Sequence, residues 1–335
     1  MNSTENLKKL LKGERAGGLV NNWEPFQLIW DPLLMTIAPA HAGATVVDPF
    51  GVTLVWESTQ PGPMPLEDEE HLVCKDITNW RETVKAPDVA NMKFDWSGAL
   101  GQIAGAHAAG KLAVGFMPIG NFELIHNLMG FESALVNLLL YPEEMQELID
   151  YLVDYRMACF KQYVDNMHPD IMLIHDDWGA KTSMLMRPDV WREFFKPGYK
   201  KMYQYLRENG IYVMHHSDSF LEPIVKDMEE IGINIWQGAL PQNDLVKLQK
   251  EIKGDLIFMG GLDAALIDHP AIEEEIVRKE VRRACESYIP GGNFIPATTY
   301  GGPGSIFPGV DAIIQDEISR FETEYYAEHP VELTL

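Results

Sequence analysis

From about residue 110 onward the chain alternates between short apolar runs and longer amphipathic stretches. KLAVGFMP (111–118), DIMLIHDD (170–177), IYVMHH (211–216), INIWQG (233–238), LIFMGG (256–261) and NFIPAT (293–298) have the length and composition of strands buried on both faces. Between them, YPEEMQELIDYLVDYRMACFKQYVDNM (141–167) places Leu148, Leu152 and Tyr155 on one helical face, with Pro142 in its first turn. Residues 121–140 read as one or two helices. Residues 187–210 read as a helix in two parts, with Pro197 marking the break. Further helices are expected over 220–232, 243–252 and 270–288. Apolar strands alternating with helices predict βα units and a parallel sheet.

Upstream, LVNNWEPF (19–26) predicts a first strand. VTLVWESTQPGPMP (52–65) and HLVCKDITNW (71–80) predict an excursion of two or three short strands. That gives seven core strands, and the eighth falls either between residues 90 and 110 or near 40–48. The pattern predicts an α/β chain forming one domain over 1–335, a closed eight-stranded barrel with an N-terminal helical segment and a hairpin excursion at about 50–82. An open doubly wound sheet is the alternative, but no G-x-G-x-x-G follows any strand.

Charge narrows the partners. The chain carries 27 Lys plus Arg against 50 Asp plus Glu, a formal net charge of -23. A surface that acidic repels phosphate backbones and anionic membranes, so neither nucleic acid nor membrane is expected as a partner. Cys74, Cys159 and Cys285 form no close cluster, which fits a reducing, cytoplasmic compartment. The polar N-terminus has no signal-peptide core, and no apolar stretch reaches membrane-spanning length.

In a barrel, chemistry collects at the C-terminal ends of the strands. Those ends carry Asn21, Asn22 and Glu24; Asn121 and Glu123; His175, Asp176, Asp177 and Trp178; His215, His216, Ser217 and Asp218; Trp236 and Gln237; Asp263; and Thr298, Thr299 and Tyr300. Strand alternation turns His216 and Asp218 the same way and His215 toward the helix layer. His216 and Asp218 thus pair as metal ligands or as holders of a polar substrate group. At least one of Asp176 and Asp177 faces inward, as a proton donor or acceptor, unless it caps a helix. Asn121, Trp178, Trp236, Gln237 and Tyr300 are the candidates for binding substrate or cofactor. Met117, Met214 and Met259, near the strand tips, are either core filler or pocket lining. GGPGSIFPG (301–309) lacks the lysine of a phosphate loop and reads as a rim or lid.

DPFGVTLVW, HDDWGAKTSMLMRPDVWREFFKP, GIYVMHHSDSFLEPIVKDMEEIGINIWQGALPQNDL, GGLDAALID and GGPGSIFPGVDAI, in that order along the chain, resemble the uroporphyrinogen decarboxylase superfamily over residues 15 to 325. The resemblance implies a single distorted (β/α)8 TIM barrel. True decarboxylases of this superfamily carry arginines of the type R-Q-A-G-R in an early loop, and this chain has no arginine between Gly18 and Arg81. The other branch transfers methyl groups to or from a corrinoid held on a separate protein. Its thiol-methylating members carry His-x-Cys where this chain has His216-Ser217-Asp218.

The resemblance therefore implies a methyltransferase taking a methyl group from a small methoxylated aromatic to the cobalt of a separate corrinoid protein. The alternatives are transfer between a methylcobamide and tetrahydrofolate or another small molecule and, further off, decarboxylation. A zinc pattern Glu-x14-Glu-x20-His associated with aryl methyl ether demethylation matches Glu132, Glu147 and His168. The expected ion, zinc, falls at His216 and Asp218. The expected catalytic groups are Asp177 first, then Asp176, with Glu24, His216 and Asp263 in support. A homodimer is among the partner expectations.

Overall fold

The computed structural model describes residues 2–58, 60, 62–252, 254–300 and 305–330. Ten strands are described: β1 (Phe26–Leu28), β2 (Thr45–Val47), β3 (Thr53–Val55), β4 (Met64–Pro65), β5 (Leu112–Met117), β6 (Ile171–His175), β7 (Tyr212–His216), β8 (Ile235–Ala239), β9 (Ile257–Gly261) and β10 (Phe294–Ala297). Seven form one sheet in the order β1-β5-β6-β7-β8-β9-β10, with every neighbouring pair parallel. Helices connect them, and the result is a distorted TIM-like barrel. β2, β3 and β4 make a separate antiparallel sheet in the excursion after β1.

Strand alternation divides the core in two. Val114, Leu173, Met214, Ile235, Ile257, Met259, Ile295 and Ala297 belong to an inner cluster within the curled sheet. Ala113, Met172, Ile174, Val213, Trp236, Phe258 and Phe294, their chain neighbours, belong to an outer cluster shared with the helices. The N-terminal helix Ser3–Leu10 sends Leu7 and Leu10, with Leu11 after it, into the inner cluster beside Phe26, Leu112 and Ile171. Those three residues begin their strands, so the helix stoppers the N-terminal end of the sheet. The C-terminal mouth is left for polar groups.

Local signals agree with the elements. Asn2 and Glu5 form a capping box. Pro142 opens the 25-residue helix Pro142–Asn166. The 121–140 stretch splits into Asn121–Met129 and Phe131–Leu140 around Gly130. The break in 187–210 falls at Phe195, with Pro197 in the first turn of Lys196–Glu208.

Three strand expectations fail. The first strand is Phe26–Leu28, not 19–26; Asn21, Asn22 and Glu24 precede it. Val20, Trp23 and Phe26 reach the inner cluster across a turn, so their three-residue spacing is not a strand period. Neither candidate eighth strand joins the barrel: 90–110 holds the helix Ser97–Ala108, and 40–48 holds β2 of the small sheet. HLVCKDITNW forms a turn and the short helix Ile77–Asn79 rather than a strand.

Candidate active site

Parity decides what reaches the mouth. In β6, Leu173 faces inward and Ile174 outward, so His175 and Asp177 continue inward while Asp176 and Trp178 turn to the helices. In β7, Met214 faces inward, as does His216, whereas His215 turns outward. In β8, Ile235 and Gln237 face inward and Trp236 outward. Register completes the arrangement, because His175 pairs with His216 and His216 with Gln237 across the ladder.

The result is a cluster of three possible ligands. One ligand atom from each of His175, Asp177 and His216 lies within 4.8 Å of the others. The two imidazoles stack with centroids 4.2 Å apart and planes 25° apart. His175 Nδ1 is 3.0 Å from the Glu123 carboxylate, and His216 Nδ1 is 2.5 Å from Gln237 Oε1. Each ring thus keeps Nε2 for the cluster. Asp177 Oδ1 accepts from Ser217 Oγ, the Asp218 backbone N–H and Ser219 Oγ, at 3.0, 3.0 and 3.2 Å. Oδ2 receives no such bond among the described residues and remains for the cluster.

Electrostatics separates the two histidines. Burial opposes charge on His175, but Glu123, Asp177 and Asp176 outweigh it and raise its pKa to about 10. Burial and the neighbouring His175 push His216 down to about 4. Burial and the Asp177 charge raise Asp218 to about 7. The metal-free site therefore holds protons that a cation would displace.

Two imidazoles and a carboxylate, each tied down by an outer partner, are a donor set suited to zinc. Catalytic zinc sites use three protein ligands and keep another position for water or substrate. The residues present fit such an ion. Glu123 behind His175 is the carboxylate–histidine arrangement that raises the basicity of a ligating ring.

Several expected site residues lie elsewhere. Asp176 is fully buried behind the sheet, accepting from Phe122 N, Glu123 N, Trp178 Nε1 and the Tyr199 hydroxyl. It anchors the start of the helix Asn121–Met129, so its helix-capping alternative describes its surroundings. Trp178 is fully buried and stacks on His215, with ring centroids 4.0 Å apart. Trp236 is buried in the outer cluster and donates to Ser217 O. The Asn121 side chain lines a small space behind the sheet with Met117, Arg156 and Phe160. His215 points outward as expected, with Nδ1 on the Tyr203 hydroxyl at 2.7 Å.

Glu24 is exposed and lies before β1, at the opposite end of the strand from the mouth. Asp263 caps the helix Ala264–Ile267 and sits 3.9 Å from Lys181 Nζ. Asp218 stands beside Asp177, which accepts its backbone N–H, but is not one of the three clustered ligands. Gln237 and Tyr300 meet through a 2.6 Å bond from Gln237 Nε2 to Tyr300 O. Met117, Met214 and Met259 are fully buried: Met214 and Met259 fill the inner cluster, and Met117 lies in the outer one, beside the small space behind the sheet. Of the 301–309 rim, residues 301–304 lie outside the described residues.

The spacing match to Glu132, Glu147 and His168 does not make a site. Glu147 pairs with Arg81, and 19 further residues of the helix Pro142–Asn166 separate it from that helix's end, about 28 Å. His168 lies just beyond that end, too far to share an ion with Glu147. His175 and Glu123 are what the sequence reading passed over as site residues. The same alternation that singled out His216 selects His175 and Asp177 from HDD.

A parallel βα barrel with imidazoles and carboxylates gathered at its C-terminal mouth has the build of a barrel enzyme. Residues 82–311 match the family model for uroporphyrinogen decarboxylase (URO-D), and the chain belongs to that family. It is similar to the uroporphyrinogen decarboxylase of Thermus thermophilus, 25% identical over 150 residues, covering 44% of this chain and 41% of that protein's length. Its fold is that of a methyltransferase from Methanosarcina mazei, with a TM-score of 0.65 at 16% identity, covering 97% of this chain and 99% of the other. No helix among the described residues is long and apolar enough to cross a membrane.

Proposed function

We propose that the chain is a methyltransferase that moves a methyl group from a small methoxylated aromatic to the Co(I) of a corrinoid carried on a separate protein. The observation that carries this reading is the His175–Asp177–His216 cluster at the centre of the mouth. The surrounding charge supports it. Glu123, Asp177 and Asp218 line the site with carboxyl groups, and Asp177 already resists a second negative charge at Asp218, so it is a poor seat for the polycarboxylate tetrapyrrole of a decarboxylase.

Breaking an aryl methyl ether leaves the bonding pair on oxygen, while the methyl carbon takes its new bond from the two electrons of Co(I). The leaving oxygen is a poor one unless its developing charge is neutralised. A zinc ion at the cluster, when bound, supplies that neutralisation as a Lewis acid. The protein's share is positional. Glu123 and Gln237 hold the two imidazoles, and Ser217 and Ser219 hold Asp177. The strand tips keep the donor's oxygen near these groups and its methyl toward the solvent side. This thiolate-free site is unsuited to thiol acceptors.

Mixing the purified chain, a reduced corrinoid protein and a methoxyarene should convert the Co(I) spectrum to that of methyl-Co(III). Silence across a donor panel that includes amines and methyltetrahydrofolate would sink the reading; response to the folate alone would move it to the folate alternative. Asp177→Asn should lower both the zinc bound per chain and the rate, whereas Asp218→Ala should keep the zinc.

A further inference from the structure

Gln237 has both ends of its side chain committed. Nε2 donates to the backbone oxygen of Tyr300 at 2.6 Å, and Oε1 lies 2.5 Å from His216 Nδ1. A backbone carbonyl only accepts, so the amide NH2 must face Tyr300 and the amide oxygen must face His216. An amide oxygen also only accepts, so His216 must carry its proton on Nδ1. The lone pair then sits on Nε2, the atom left for the cluster with His175 and Asp177. The polarity of one peptide carbonyl on the rim thus fixes which imidazole nitrogen can bind a cation.

The backbone holds this strut in place. β8 carries an irregularity at Gly238, which has φ +94°. A Cβ there would lie 2.9 Å from the Ser217 carbonyl group. The bulge sits directly after Gln237 and packs β8 against the turn that follows His216.

We propose that Gln237 is a positioning residue for a divalent cation, acting through His216 by locking its Nδ1–H tautomer. The proposal rests on the reading of the cluster as a cation site. The two histidines are oriented by different means. A carboxylate stands behind His175, and a neutral amide polarised by a peptide carbonyl stands behind His216.

Two measurements test this, and neither requires turnover. In the metal-free, 15N-histidine-labelled wild type, the two-bond 15N–1H pattern of His216, assigned as the signal lost in H216Q, should show a protonated Nδ1 and a lone pair on Nε2. A proton on Nε2 overturns the proposal without recourse to any Gln237 variant. In the second, Co2+ is titrated and followed by its visible spectrum. Gln237→Leu should weaken binding by about 10- to 100-fold, in the range for a lost outer-shell partner, and change the spectrum at saturation. Gln237→Glu still accepts from Nδ1–H and should restore the wild-type spectrum and most of the affinity, although it can no longer donate to Tyr300.

A Leu variant that binds Co2+ as tightly as wild type, with the same spectrum, overturns the proposal. So does a Glu variant that folds like wild type and fails to rescue. A wild type that takes up no Co2+ overturns the cation reading of the cluster itself. Failure of methyl transfer with the Co2+ and tautomer results intact would overturn only the reaction assignment.

Discussion

Glu123→Gln removes a charge from the site and almost no volume. The carboxylate stands 3.0 Å from His175 Nδ1, with its side chain 15% exposed. A hydrogen bond to a charged group contributes about 1.5–3 kcal/mol and a neutral one about 0.5–1.5 kcal/mol. The glutamine amide keeps an oxygen for the same N–H, so the expected loss is the difference, about 1–1.5 kcal/mol. At about 1.4 kcal/mol per factor of ten, zinc affinity should fall roughly five- to tenfold. Glu123→Ala loses the whole bond and leaves the ring free to turn, for a fall of about 10- to 100-fold. Metal-stripped protein titrated with zinc against a chromophoric chelator measures all three proteins on one scale. The order wild type, Gln, Ala is the expected result. Equal affinity in wild type and Glu123→Ala would refute the assignment of Glu123 as the partner that orients a ligand.

The other predictions concern the scaffold. A Cβ at Gly120 would overlap the side chain of Asp176, so Gly120→Ala should lower stability to denaturant by about 2–3 kcal/mol, as overpacking does; an unchanged midpoint would refute the close approach. Burial raises the pKa of Asp31 from 3.8 to about 6, against the lowering effect of the Leu34 and Leu33 backbone N–H groups. The folded protein therefore holds this proton more tightly than the unfolded chain, and the associated stability, about 3 kcal/mol, is present below pH 3.8 and lost as pH rises through 6. Asp31→Asn keeps an oxygen for Leu34 N–H, so its stability relative to wild type should improve by that amount between pH 4 and pH 8; a difference flat across that range would refute it.

Most of the barrel was legible because its strands are buried on both faces and read as unbroken apolar runs. The start of the chain was not. Leu19, Val20 and Trp23 are buried, Val20 and Trp23 in the inner cluster, but a turn rather than a strand carries them. Within the site the limit was direction, not identity. The strand tips were found, yet Asp176, Trp178 and Trp236 face the helices, and only the alternation of each strand separates them from Asp177 and Gln237. That alternation was applied to His215 and His216, where the structure agrees. Applied to residues 173–178 as well, it would have brought out His175. Glu123 had no comparable signal, because its place depends on how the helix Asn121–Met129 docks on Asp176.

The order of the sheet gives the site one more property. The three strands that carry His175, His216 and Gln237 are β6, β7 and β8, the middle three of seven, while β1 and β10 are its edges. Barrel fluctuations begin where backbone pairing is thinnest, and edge strands exchange their amide hydrogens by local opening long before central ones do. Three-residue β1 and β10, each paired on one side only, can therefore open locally without changing any spacing among the ligands.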